Sequence, residues 1–151
     1  RKCSSGILSM KISARNQFRG KVASITLGAV NAEVTVDLKG GEQIVAIVTN
    51  ESVKSLNLEL GSEAVALIKA SSVLVMTEGS GVRLSARNSL AGKITALEKG
   101  PIHAEVSISL PSGELVHATI THAACDALGL AEGVNATAVI KAPLVILGVP
   151  E

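Results

Sequence analysis

Residues 29–38 read AVNAEVTVDL. Val30, Ala32, Val34, Val36 and Leu38 occupy every second position. That is the period of a half-buried β-strand and not of a helix. Lys39-Gly40-Gly41-Glu42, which follows, is a hairpin signal, and Ile44 to Val48 is the returning strand. Upstream, Lys21 to Thr26 is apolar and β-branched, alternating with small polar residues. Downstream, Thr49 to Leu56 breaks the alternation and predicts a short helix, N-capped by Thr49 or Asn50. Gly61 leads into a further strand, Ala64 to Ile68, and Ser72 to Met76 continues extended.

The same unit occurs twice. A shift of 72 residues superposes the two halves without a gap, and 24 of 65 positions are identical between 12–76 and 84–148. SARN at 13–16 returns at 85–88, Ala32-Glu33-Val34 at 104–106, Thr49 at Thr121, and Ile68-Lys69-Ala70 at 140–142. The expected organisation is a leader over 1–9, repeat one over 10–76, a small polar linker over 77–83 and repeat two over 84–151. Residues 1–9 do not join the pattern and do not fit a signal peptide; they read as a vector-derived or upstream leader, with Met10 as the natural start. The predicted fold is mostly β: two tandem OB-like five-stranded barrels, each with a short helix. Two small antiparallel sheets packed as a sandwich are the alternative. One repeat alone is a marginal folding unit, so the halves are expected to share a core. Long apolar strands with few charges also need their edges covered, which predicts a homo-oligomer.

Composition removes several function classes. The chain has 151 residues and a net charge of +1, which argues against a general nucleic-acid or membrane-surface binder. It has no Trp or Tyr and one Phe, Phe18, so no platform exists for stacking bases. No apolar run approaches the roughly 18 residues that span a bilayer. Two cysteines, Cys3 and Cys125, build neither a disulfide framework nor a zinc site, and a reducing compartment is the simplest reading.

No enzyme chemistry stands out, and no catalytic residue, cofactor or bare-cation site is expected. His103, His117 and His122 form no spaced metal motif. Cys125 aligns with Val53 and reads as a buried small side chain. Glu33 and Glu105 read as solvated or salt-bridged strand positions. Walker and G-x-G-x-x-G loops are absent from the sequence.

Hydrogen-bond donors tell more. Ser13, Arg15, Thr49, Ser52 and Lys69 recur in part as Ser85, Arg87, Thr121 and Lys141. Arg, Lys, hydroxyls and backbone N–H groups are the equipment for an oxyanion. A helix start at Thr49 would add N–H groups and a positive dipole end. Ser13 and Arg15 are two apart, so on a strand they would share a face. A site built only of donors prefers an anion without a proton: molybdate, tungstate or sulfate over phosphate. The plain reading of the same residues is that Thr49 caps a helix and Lys69 ends a strand in solvent. Duplication copies structural residues as readily as ligands, so both readings stand at this level.

SARN, the GAVNAEV segment at 28–34, TNES at 49–52 and IKA at 68–70 together resemble the Mop family of molybdate-binding proteins. As a free-standing tandem pair the chain is similar to its di-Mop branch, the molbindins. The resemblance implies a cytoplasmic protein of molybdenum storage and homeostasis, with molybdate or tungstate as ligand. It further implies a homotrimer that holds several oxyanions at subunit interfaces, without nucleic-acid or membrane partners. Ser13 and Arg15 would reach an anion from one repeat, and Thr49, Ser52, Lys69 and the N–H of Ala70 from a neighbour. Ser85, Arg87, Thr121, Lys141 and Ala142 would do so in repeat two. There Ala124 replaces Ser52 and Pro143 replaces Ser71, a loss of one hydroxyl worth about 0.5–1.5 kcal/mol. A second kind of anion site is implied at Val30, Asn31, Ile102 and His103. The Asn-to-His exchange there suggests that protonated His103 helps hold an anion at lower pH. The same module implies, as an alternative, the sensing domain of a molybdate-responsive transcription regulator or of a transporter ATPase.

Overall fold

The computed structural model describes residues 12–77 and 84–150. The expected leader with Cys3, and residues 78–83 of the expected linker, lie outside them. Repeat one runs β1 (Asn16–Leu27), β2 (Asn31–Leu38), β3 (Gln43–Thr49), α1 (Asn50–Ser55), β4 (Glu63–Ile68), a 3-10 turn (Ala70–Ser72) and β5 (Leu74–Thr77). Repeat two runs β6 (Asn88–Lys99), β7 (His103–Ser109), β8 (Leu115–Thr121), α2 (His122–Leu128), β9 (Asn135–Ile140), a 3-10 turn (Ala142–Leu144) and β10 (Ile146–Gly148). The fold is mostly β, as the alternation at 29–38 implies: Ala32, Val34, Val36 and Leu38 are buried, while Val30 precedes the strand and is exposed. Thr77, assigned to the linker by composition, ends β5.

The strands form two five-stranded antiparallel sheets, in the orders β10-β4-β1-β2-β3 and β5-β9-β6-β7-β8. The fifth strand of each repeat therefore does not complete its own sheet. The 3-10 turn after β4 redirects the chain, and β5 pairs with β9 in the other repeat, Leu74 opposite Val139. Reciprocally, β10 pairs with β4, Ile146 opposite Leu67. Alternation identifies a strand but not the edge it joins, so the exchange was not readable from the pattern. Its physical effect is that each repeat covers an edge the other would leave open.

β1 and β6 are long because each serves two neighbours. Asn16–Lys21 pairs with β4 and Gly20–Leu27 with β2, with a bulge between Val22 and Ser24. The handover falls at Gly20, where a Cβ would lie 2.1 Å from the carbonyl oxygen of Asp37. Gly92 is in the same position against Ser109 at 2.3 Å. Glycine in both repeats thus permits the close passage, and the bulge curls the sheet. A single core cluster joins both repeats, from Phe18 and Val34 to Val106, Ile140 and Leu147. Among the described residues, no helix is long and apolar enough to cross a membrane.

Candidate functional site

The SARN motif divides into two jobs. Asn16 and Asn88 are almost fully buried, and they are the only buried polar residues among those described. The amide of Asn16 donates to the carbonyl of His117 at 2.8 Å and accepts from its N–H at 2.7 Å. Asn88 does the same with Val45, at 2.8 and 2.7 Å. Each side chain imitates one rung of a β-ladder and clasps the edge strand of the opposite repeat. Sequence reasoning missed this role, although a repeated Asn at the start of an apolar strand was its signal.

Serine and arginine precede the strand. Ser13 and Arg15, like Ser85 and Arg87, lie in irregular exposed segments before β1 and β6, so the expectation of one shared pleat face does not apply. Each arginine reaches across to the other repeat. Arg15 Nη1 lies 2.6 Å from Glu105 Oε1. Arg87 grips Glu33 with both terminal nitrogens, Nη2 at 3.0 Å from Oε1. The hydrogen bond and charge of Glu33 push the Arg87 guanidinium above its ordinary value. Glu33 and Glu105 are thus salt-bridged, one of the two strand roles read from the sequence. They also bring carboxylates to arginines that had been read as part of an all-donor set. A guanidinium has five N–H donors, so a two-point grip leaves donors for a further anion.

Ser85, Arg87, Lys141 and Ala142 converge on one cavity of about 420 Å³, closed by Ile47 of β3, Leu74 of β5 and Pro143. The register explains the convergence: Asn88 pairs with Ile140, which sets the IKA segment beside SARN in the same repeat. Asn16 and Ile68 do likewise for Ser13, Arg15, Lys69 and Ala70. Lys69 and Lys141 are exposed and open the two 3-10 turns, with no ion pair among the described residues. Thr49 and Ser52 line a second cavity of about 230 Å³ with Pro143 and Ile146. Ile47 and Pro143 border both cavities. Thr49 and Ser52 of repeat one therefore stand beside the Lys141 cluster of repeat two.

The helix start is partly engaged. Thr49 is the N-cap and accepts from the Ser52 N–H at 3.1 Å, while its hydroxyl lies 2.8 Å from that of Ser52. Asn50 N–H donates to Val30 O at 2.8 Å. Thr121 caps α2 through the Ala124 N–H at 3.0 Å, and Ala124 brings no hydroxyl.

Val30, Asn31, Ile102 and His103 are exposed near the helix starts, with Val30 and Ile102 at 70% and 71%. A residue outside the expected set holds each of these loops. Asn50 Nδ2 donates to Gly28 O at 2.9 Å, and His122 Nδ1 lies 2.7 Å from Gly100 O. Cys125 is buried in the core with a free thiol. Among the described residues no group of His, Cys, Asp and Glu is placed to hold a metal ion.

A family model described as the TOBE domain matches residues 12–75 and again 84–147. The molybdenum transport protein ModE of Herbaspirillum seropedicae is 44% identical over 144 residues, 95% of this chain and 54% of that protein. A probable molybdenum-pterin-binding protein of Haemophilus influenzae is 56% identical over 69 residues, 46% of this chain and 100% of its own length. A crystal structure of the cytoplasmic molybdate-binding protein ModG, with molybdate bound, has a TM-score of 0.90 and 52% identity to this chain. The match covers 93% of this chain and 100% of that one. The chain spans about half the length of the longer curated relatives it matches.

Proposed function

The chain belongs to the TOBE-domain family, in two tandem copies, and from that premise we propose that it binds molybdate as a free oxyanion. The observation that carries the reading is the meeting of Ser85, Arg87, Lys141 and Ala142 on one cavity, with Thr49 and Ser52 next to it. Arg87 and Lys141 supply charge, the hydroxyls and the Ala142 N–H supply neutral donors, and Ile47, Leu74 and Val139 form the apolar wall. The pseudo-equivalent site takes Ser13, Arg15, Lys69 and the N–H of Ala70, with Thr121 from the other repeat. It lacks the hydroxyl of Ser52, because Ala124 stands there. Val30, Asn31, Ile102 and His103 form the second kind of site, their exposure suiting completion by other subunits.

The wider reading is a cytoplasmic homotrimer that stores or buffers molybdate and tungstate without catalysis. Likeness to ModG over nearly the whole chain supports it. A second reading, the ligand-sensing part of a longer regulator or transporter, rests on the chain spanning 54% of ModE. Native mass spectrometry with molybdate, and with sulfate and phosphate as competitors, tests the proposal. A trimer taking up several molybdates while ignoring phosphate is the expected result. Absence of uptake would reduce the donor cluster to helix caps and strand ends. DNA binding by the intact gene product would favour the sensing reading.

A further inference from the structure

His117 has no counterpart in repeat one, where Val45 stands. On β8 it pairs with Ser107 of β7, and Glu105 pairs with Thr119 two residues along the same face. Ser107 Oγ lies 3.0 Å from His117 Nδ1. Glu105, diagonal to the imidazole, is the carboxylate that holds Arg15 at 2.6 Å. Asn16, the neighbour of Arg15, clasps the backbone of His117. Diagonal cross-strand neighbours are within reach of long side chains. Burial, and then the charge of Arg15, hold His117 below its ordinary value, and Glu105 opposes them. The 3-10 turn Ala70–Ser72 and β5, which pack on β8, carry no ionisable side chain, although Lys69 precedes the turn; β1, which also packs on β8, carries Arg19 and Lys21. His122 and Asp126 of α2 follow the other end of β8 and pair with each other.

We propose that His117 is a proton-operated control on the oxyanion site built around Arg15, and that the Arg87 site lacks it. This rests on the oxyanion reading above. At neutral pH the imidazole is uncharged, and Glu105 keeps Arg15. Below the His117 pKa the imidazolium draws on Glu105 and adds a positive charge beside the site. Arg15 is released toward an arriving dianion. At the Arg87 site, Val45 cannot take a proton, and Glu33 keeps its grip at either pH. By linkage, an anion bound at the Arg15 site raises the proton affinity of His117, so binding takes up protons.

The test is calorimetric titration of the full chain with micromolar molybdate at pH 5.5 and 7.5, in two buffers of different ionisation enthalpy. One class of sites is expected to bind tighter at pH 5.5, by up to about fivefold, the size Coulomb's law gives for a dianion roughly 8 Å from a full new charge in a water-like dielectric. That class should also take up protons. His117→Val should abolish both effects. Val45→His should confer the response on the other class, which keeps the test intact if His117→Val does not fold. Proton uptake by that class of sites that persists in His117→Val would overturn the inference while the oxyanion reading stands. Absence of molybdate binding at either pH would overturn both.

Discussion

Asn16 and Asn88 hold a structural clasp inside the motif that also contains the proposed anion ligands. Ser and Arg of SARN were singled out as proposed ligands because their donors suit an anion. The asparagines were not, because the backbone that Asn16 clasps lies 101 positions away. Asn16→Ala leaves the N–H and carbonyl of His117 without partners in a buried setting. Each orphaned group costs on the order of 1–3 kcal/mol, so Asn16→Ala or Asn88→Ala should lose roughly 2–6 kcal/mol in a urea titration. Asn16→Asp sets a carboxylate against the carbonyl of His117 at a buried position and should cost at least as much at pH 7. A second residue-scale prediction concerns Glu114, whose carboxyl is raised by burial first and by Glu42 second. A folded pKa above the unfolded one means stability that is full below the ordinary carboxylate range. It is lost as pH rises through the raised value. Glu114→Gln should therefore stabilise at pH 7 and have little effect near pH 4. Glu114 is only partly buried, so screening limits the gain to roughly 0.5 kcal/mol. Thermal melts at the two pH values check it.

At the scale of elements, most of the secondary structure was readable from periodicity and turn chemistry. Val30 to Leu38 alternates, Thr49 caps, and Gly41 and Gly113 turn the hairpins at positive φ. Helix ends were less readable. Gly129 closes α2 in the left-handed region at φ 65°, and its equivalent after α1 is Asn57 at φ 53°. Only glycine, and to a lesser degree asparagine, tolerates that conformation. Gly129→Ala should cost about 1 kcal/mol, and Gly129→Asn clearly less; chemical denaturation of the pair measures the difference. The order of strands in the sheets was beyond the pattern altogether. Both β4 and β9 offer an edge to any short apolar strand, and the choice falls to the 3-10 turns that begin at Ala70 and Ala142. Leu147 of β10 is buried in the shared core. Leu147→Ala should cost roughly 2–5 kcal/mol, the usual range for a core leucine. That loss should appear in the stability of repeat one as well, because β10 lies on β4. Hydrogen exchange at the amides of β4 would show the transfer, and unchanged protection there would contradict it.

At the scale of the molecule, the two repeats are related by exchange as well as by copying. Arg15 meets Glu105 and Arg87 meets Glu33. Asn16 meets His117 and Asn88 meets Val45. β5 leaves for one sheet and β10 for the other. A sequence shift of 72 residues reveals the duplication, but only the fold reveals that each half is incomplete alone. The candidate site is divided in the same way: the Ser85 and Lys141 cluster belongs to repeat two, while Ile47 and neighbouring Thr49 and Ser52 come from repeat one. Two consequences follow from a core and a site that both cross the repeat boundary. The full chain should unfold in one transition, with calorimetric and van't Hoff enthalpies equal. Residues 84–151 expressed alone should not persist as a monomer, since β9 would lack β5 and β10 would lack β4. The least costly remedy is for two copies to exchange their last strands, β10 of each taking the place of β5 on the other. Light scattering should then find even-numbered assemblies. In them the SARN asparagine would still find a β8 strand to clasp, and Ser85, Arg87 and Lys141 would still meet across the new boundary. A stable monomer with native β content would show instead that the exchange is dispensable, and that the site can be separated from it.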